Sequence, residues 1–301
     1  MHVGGGGDAI AWMRSAEPGV VLPIVLGAWL YARGVRRIWR RAGRGRGVRR
    51  WQAVSFGAGM ATVLLALASP LHEMSEALFA AHMVQHELLM LVAAPLIVLG
   101  APGVPFLWAL PERARHRAAT LVRARGMRSV WSALVHPATA WVLQAVAILL
   151  WHAPPLYQSA LEHEPVHALQ HACFMGTALL FWESLVRLAR RRRSGYGVAV
   201  LSLFTTAIYG SMLGALLTFA PSVWYPAYGH AAAAWGLTPL EDQQLGGLIM
   251  WIPFGLVYVI AAVAMFGAWM RAMDRREVGV ISIAPAASRV ASTPLNGVTA
   301  E

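Results

Sequence analysis

The chain contains no lysine; all 25 of its basic residues are arginine. It has a single cysteine, Cys173, which excludes an internal disulfide and any metal motif assembled from several thiolates. Charged residues of both signs make up only 13% of the chain, against about 25% in soluble domains. A water-soluble globular fold is therefore excluded. No glycine-rich phosphate loop and no nucleophile–base constellation can be found, and no Glu follows the first histidine of either His-x-x-x-His pair, which removes the zinc-protease pattern. The chain reads as a protein that is not an enzyme. Residues 1–18 lack a basic stretch followed by an apolar run, so no cleavable signal peptide is expected and the first span would act as the insertion signal.

What the chain has in abundance is apolar sequence: 57% of residues are hydrophobic and the mean hydropathy is +0.53. A membrane span needs about 20 mostly apolar residues. Seven stretches qualify, at residues 19–36, 52–69, 77–99, 137–152, 165–187, 197–220 and 244–270, the fourth being short. The arginines fall between alternate stretches. Nine lie between Arg33 and Arg50, six between Arg113 and Arg128, five between Arg187 and Arg193, and Arg271, Arg275 and Arg276 follow the last stretch. The intervening connections near 70–76, 153–164 and 221–243 hold none. Basic loops stay in the cytoplasm. The expected fold is thus an all-α membrane protein of seven transmembrane helices, with its N-terminus outside and its C-terminus cytoplasmic. Residues 1–280 form one heptahelical domain, and the Ala-, Ser-, Thr- and Pro-rich residues 281–301 form a disordered tail. The long third connection has room for a surface helix around Arg113 to Arg128. Arginines placed this way set topology, and no nucleic-acid partner is expected.

This topology gives the histidines their meaning. His72, His82, His86, His152, His163, His167, His171 and His230 all fall on the outer side. His82/His86 and His167/His171 are spaced by four, which puts both imidazoles of a pair on one helix face. At 1.5 Å per residue His86 and His171 would sit about 10 Å below the outer boundary. Ionisable side chains at that depth are costly and mark functional sites. The candidate metal ligands are His82, His86, His167 and His171, with His152 and Asp242 as further candidates. Met83, Met90 and Met175 extend the two stripes. Imidazole with thioether suits copper, Cu(I) in particular. Zinc held with Glu87, Glu162, Glu164 or Asp242 is a second possibility, and haem held axially by His86 and His171 is a third. The plainer reading of the methionines and of Cys173 is core packing. Glu87, an acid inside a span, could be a partner of the ligands or a neutral buried carboxyl. Gly246 and Gly247 would allow close helix approach, and Pro253 would kink the last span. Trp108, Trp131, Trp151, Trp224 and Trp269 fall near span ends, as in an aromatic belt.

Several motifs stand in an order that resembles a known family. They are His82-Met83-Val84-Gln85-His86 with Pro95 and Gly100-Ala101-Pro102; Trp151-His152-x-Pro154 with Leu156-Tyr157; His167 and His171 ahead of Phe181-Trp182; and Asp242-Gln243-Gln244-Leu245-x-Gly247 leading to Met250-Trp251. Together they resemble the CtaG-type cytochrome c oxidase assembly factors of bacteria over most of residues 70–270. Glu87 departs from the family pattern, where an apolar residue or methionine is expected. The resemblance implies a multi-pass plasma-membrane protein without catalytic activity that helps mature a haem-copper oxidase at its copper centre. The expected partners are the oxidase subunits, membrane lipid and a copper donor in the outer compartment. Copper would arrive from outside, be held by neutral imidazoles and pass by ligand exchange to an oxidase subunit alongside. A haem-handling membrane cytochrome is the rival reading. A metal transporter would need polar groups continuing to the cytoplasmic face, and few lie beyond Glu183.

Overall fold

A computed structural model describes residues 18–190, 195–229 and 231–287. Among the described residues every regular element is helical. Five helices are long and apolar enough to cross a membrane, or up to seven if each of two bent pairs counts as one span.

The first is α1 (Pro18–Ala42). The first bent pair is α2 (Arg50–Leu67) and the short α3 (Pro70–Ala77), which meet at 43°. Ser69 caps α3 by accepting from the Leu71 N–H, and Pro70 occupies the first helical turn, where its missing N–H costs nothing. The next span runs from α4 (Phe79–Glu87) through a π-helical stretch, Leu88–Ala93, into α5 (Ala94–Leu99). Pro95 explains the wide turn. It has no N–H to give to the carbonyl five residues back, that of Met90, and the Trp182 indole donates there instead at 2.9 Å.

Three short helices follow: α6 (Gly103–Ala109), α7 (Glu112–Arg123) and α8 (Arg125–Leu134). The sequence suggests one surface helix here, and the chain makes two, α7 and α8, neither with a buried residue. Arg37 from α1 donates to the carbonyls of Trp108, Ala109 and Leu110 at 3.1, 3.0 and 2.7 Å. A guanidinium on the open carbonyls of α6 complements the negative end of that helix. Trp108 itself lies under the guanidinium groups of Arg41 and Arg115. The second bent pair is α8 with α9 (Pro137–Trp151), at 59°.

After α9 come α10 (Pro154–Glu162), α11 (Glu164–Arg190) and α12 (Gly195–Thr218). Two 3-10 turns, Pro226–Tyr228 and Ala231–Trp235, lead into α13 (Pro239–Ala287). This last helix runs unbroken through Pro253 and continues past residue 281, where the sequence suggests a tail; residues 288–301 lie outside the described residues. Close packing of α12 on α13 depends on Gly247: a Cβ there would lie 2.6 Å from the Thr218 nitrogen. One apolar core joins α4, α9, α10, α11, α12 and α13, and a second joins α1, α2, the π-helical stretch and α5. Trp151 belongs to the first core rather than to a lipid-facing belt. The histidines sit within this core.

Candidate metal centre

His82 and His86 lie one turn apart on α4, and His167 and His171 one turn apart on α11. The two faces meet. The ring centroids of His82 stand 5.0 Å from His167 and 5.6 Å from His171, and those of His86 and His171 are 5.2 Å apart. Nitrogens of His82, His167 and His171 all lie within 4.8 Å of one another. The Nε2 atoms of His82 and His86 are 3.0 Å apart, so the N–H of one imidazole donates a hydrogen bond to the other. His152, just past the end of α9, stands 6.0 Å from His86. His82, His86, His152 and His171 are buried, while His167 is partly open at the rim.

The free nitrogens can be identified. His152 Nδ1 lies 2.7 Å from the Ile148 carbonyl and must donate to it, which leaves a lone pair on Nε2. That Nε2 is buried without a partner, as are His86 Nδ1, His167 Nε2 and His171 Nε2. Buried polar atoms are almost always hydrogen-bonded. Four unpartnered imidazole nitrogens in one cluster are what a metal-binding set without its metal would show, so the donor chemistry fits a cation that prefers nitrogen.

A group of tyrosines packs against the cluster. Tyr228 OH is 3.0 Å from His82 Nδ1 and 2.9 Å from Tyr157 OH, and Tyr225 OH donates to the His152 carbonyl at 2.8 Å. Burial pushes the Tyr228 phenol well above its ordinary value. It stays protonated and can donate to only one of its two neighbours. His72, which as a loop residue would be solvated, sits in α3 with its ring parallel to His167 at 6.3 Å and its Nδ1 3.3 Å from Gln85 Nε2. Tyr225 and Tyr228 are thus parts of the site that sequence patterns do not single out, while His72 and the motif residue Tyr157 prove to belong to it.

Asp242 is buried, and its carboxylate is engaged elsewhere. One oxygen accepts from the Phe79 N–H at 2.7 Å and the other from the Ala80 N–H at 3.1 Å. It caps the start of α4 from a distant part of the chain, a position where the adjoining Leu78 provides no side-chain cap. Its neighbours act alike. Gln243 accepts from the Trp224 N–H and donates to the Ser222 carbonyl, and Gln244 donates to the Ala220 carbonyl. The Asp-Gln-Gln run therefore ties α13 to α4, to the connection between α12 and α13 and to the end of α12.

The methionines and acids have other surroundings. Met90 Sδ takes a hydrogen bond from Gln144 at 3.7 Å, and Met83 and Met175 pack in the apolar core. Glu87 is buried with one carboxyl oxygen unpartnered. Glu162, His163 and Glu164 are exposed. Cys173 packs against the core, and His230 lies outside the described residues. The His86 ring is flanked by His171 at 5.2 Å and by Phe174 at 4.6 Å between centroids.

Residues 29–272 match the family model described as cytochrome c oxidase caa3 assembly factor (Caa3_CtaG). The chain belongs to this family. Membership confirms the resemblance drawn from the histidine, proline and Asp-Gln-Gln motifs. Uncharacterised proteins of Mycobacterium bovis and Mycobacterium tuberculosis are each 28% identical over 232 residues, 74% of this chain and 34% of the relative. One from Mycobacterium leprae is 27% identical over 264 residues, 85% of this chain and 39% of the relative. The chain thus spans between a third and two fifths of the length of these curated relatives. No solved structure matches it.

Proposed function

We propose that this CtaG-family chain binds copper at the outer face of the bacterial plasma membrane and hands it to the haem-copper oxidase it helps to assemble. In this reading it is a non-catalytic seven-span protein with the N-terminus outside and the C-terminus in the cytoplasm, as the arginine distribution indicates. The observation that supports copper handling is the convergence of His82, His86, His152, His167 and His171, with four buried nitrogens unpartnered. Two nitrogens bound to one metal through bonds of roughly 2 Å stand about 3.3 Å apart in tetrahedral geometry. The Nε2 atoms of His82 and His86 are already at 3.0 Å, so a turn of the two rings would let a copper ion take the place of the hydrogen bond between them.

Copper is cargo here. It enters past His72 and His167 at the partly open rim and moves to the buried His82, His86 and His171. It leaves when ligands of an oxidase subunit replace the imidazoles one at a time. Neutral nitrogens without thiolates hold copper loosely enough for such exchange. A donor in the outer compartment would supply the ion.

The test is made in cells. Loss of the protein should lower oxidase activity while the oxidase polypeptides persist at first. Added copper should partly restore activity, because mass action replaces a delivery factor. The His86→Ala/His171→Ala variant should insert normally and behave like the deletion. Full oxidase activity of that variant in copper-poor medium would overturn the proposal.

A further inference from the structure

At the arginine-rich end of the molecule, far from the histidines, α2, α5, α11, α12 and α13 part to leave a cleft of about 980 Å³. Its walls are apolar, including Leu99, Trp182, Leu203 and Ala264. Its mouth is different. Arg49 and Arg190 stand there, exposed, with Gln52 and Tyr196 nearby, and among the described residues no acidic one lines the cleft. Neither guanidinium forms an ion pair with a carboxylate among the described residues, where Arg115–Glu112 and Arg187–Glu183 are the pairs seen. The helices α2 and α12 both begin at this mouth, so the N-terminal ends of two helices add their partial positive charge.

An apolar slot at membrane depth with cationic groups at its rim matches one class of ligand, an amphiphile with hydrocarbon chains and an anionic head. Basic pockets between helices on the cytoplasmic side of a membrane bind anionic lipid head groups. We infer that this cleft holds an anionic phospholipid of the inner leaflet, its phosphate between Arg49 and Arg190 and an acyl chain along Trp182 and Ala264. A bound lipid would fill the gap between α2–α5 and α11–α13 and so join the two apolar cores. The membrane orientation is needed only to assign the leaflet; the site stands whether or not the histidines bind copper.

The probe is the full chain placed in lipid nanodiscs of phosphatidylcholine containing a minor fraction of phosphatidylglycerol, with retained lipid counted by native mass spectrometry. Wild type should retain phosphatidylglycerol in preference to phosphatidylcholine. Each arginine near a head group is worth on the order of fivefold in binding, so Arg49→Gln/Arg190→Gln should lower phosphatidylglycerol retention by roughly 25-fold. Arg44→Gln/Arg46→Gln removes the same amount of charge, from the connection that holds Arg49, without touching the cleft and should leave retention unchanged. Ala264→Trp, which fills the slot, should lower retention of both lipids. Helical content by circular dichroism checks that each variant is folded. Equal retention in wild type and Arg49→Gln/Arg190→Gln would overturn the proposal. So would an equal loss in both arginine pairs, which would mean diffuse surface attraction. Displacement by inorganic phosphate alone, with Ala264→Trp unchanged, would mean a free-anion site and would also overturn it.

Discussion

Replacing Asp242 tests how the histidine helix is held. Its two oxygens accept from the Phe79 and Ala80 N–H groups at 2.7 and 3.1 Å, and the side chain is 1% exposed. Asp242→Ala leaves two buried N–H groups without acceptors, at about 1–3 kcal/mol each. Part of that is recovered by local relaxation, since loss of an N-terminal cap usually costs about 0.5–2 kcal/mol. The expected destabilisation is therefore about 2–4 kcal/mol, a large share of a stability of about 5–15 kcal/mol. Asp242→Asn keeps one acceptor oxygen and turns an amide N–H toward the other donor, so about half of that loss is expected. His82 begins the next turn, its N–H bonded to the Leu78 carbonyl at 3.1 Å. Copper affinity should fall in step with stability in both variants, while Asp242→Asn still takes up a full complement at saturating metal. The assays are thermal unfolding in detergent and metal content after dialysis. Asp242→Ala unfolding like wild type would refute the cap. Asp242→Asn that is fully stable yet takes up no metal would make Asp242 a ligand and contradict its role as a cap.

Two further outcomes follow from the site and from the charge pattern. In a Cys173→Ala background, a cysteine at Ser222 should react with an impermeant thiol reagent added outside whole cells, whereas one at Ser129 should react only after the membrane is opened; the opposite pattern would reverse the proposed orientation. Copper binding should weaken as pH falls, because protons and metal compete for the same imidazole lone pairs; an affinity that is flat from neutral to acidic pH would point away from histidine ligands.

Much of the architecture can be read from hydropathy, and the exceptions have physical causes. The fourth apolar stretch became a 15-residue α9, about 22 Å long, shorter than a hydrocarbon core of about 30 Å; it pairs with α8 across a 59° bend. The helices α3 and α10 hold 8 and 9 residues, too few to show a period. Because α3 turns away from α2, His72 comes to lie over His167 instead of in solvent. The pairs at His82/His86 and His167/His171 are legible because spacing of four fixes a helix face whatever the tertiary fold. That the two faces meet, at 5.2 Å between His86 and His171, matches the requirement for one shared site. The role of Asp242 is not legible, since its partners Phe79 and Ala80 are 163 and 162 residues away. Tyr228 is hidden for the same reason: it lies in an irregular connection, 146 residues from His82. The glycines at 246 and 247 do allow close approach, of Phe79 and of α12. The plainer reading of the methionines, core packing, fits what is seen: Met83 and Met175 pack in the core and Met90 turns its sulfur to Gln144.

Metal analysis of the purified full-length chain, loaded with copper and dialysed, bears on copper binding without intermediate steps. Wild type should retain about one copper per chain and His86→Ala/His171→Ala should retain almost none, with unchanged helical content. Equal copper in the two proteins, or retention of zinc in preference to copper, would contradict a histidine-bound copper cargo.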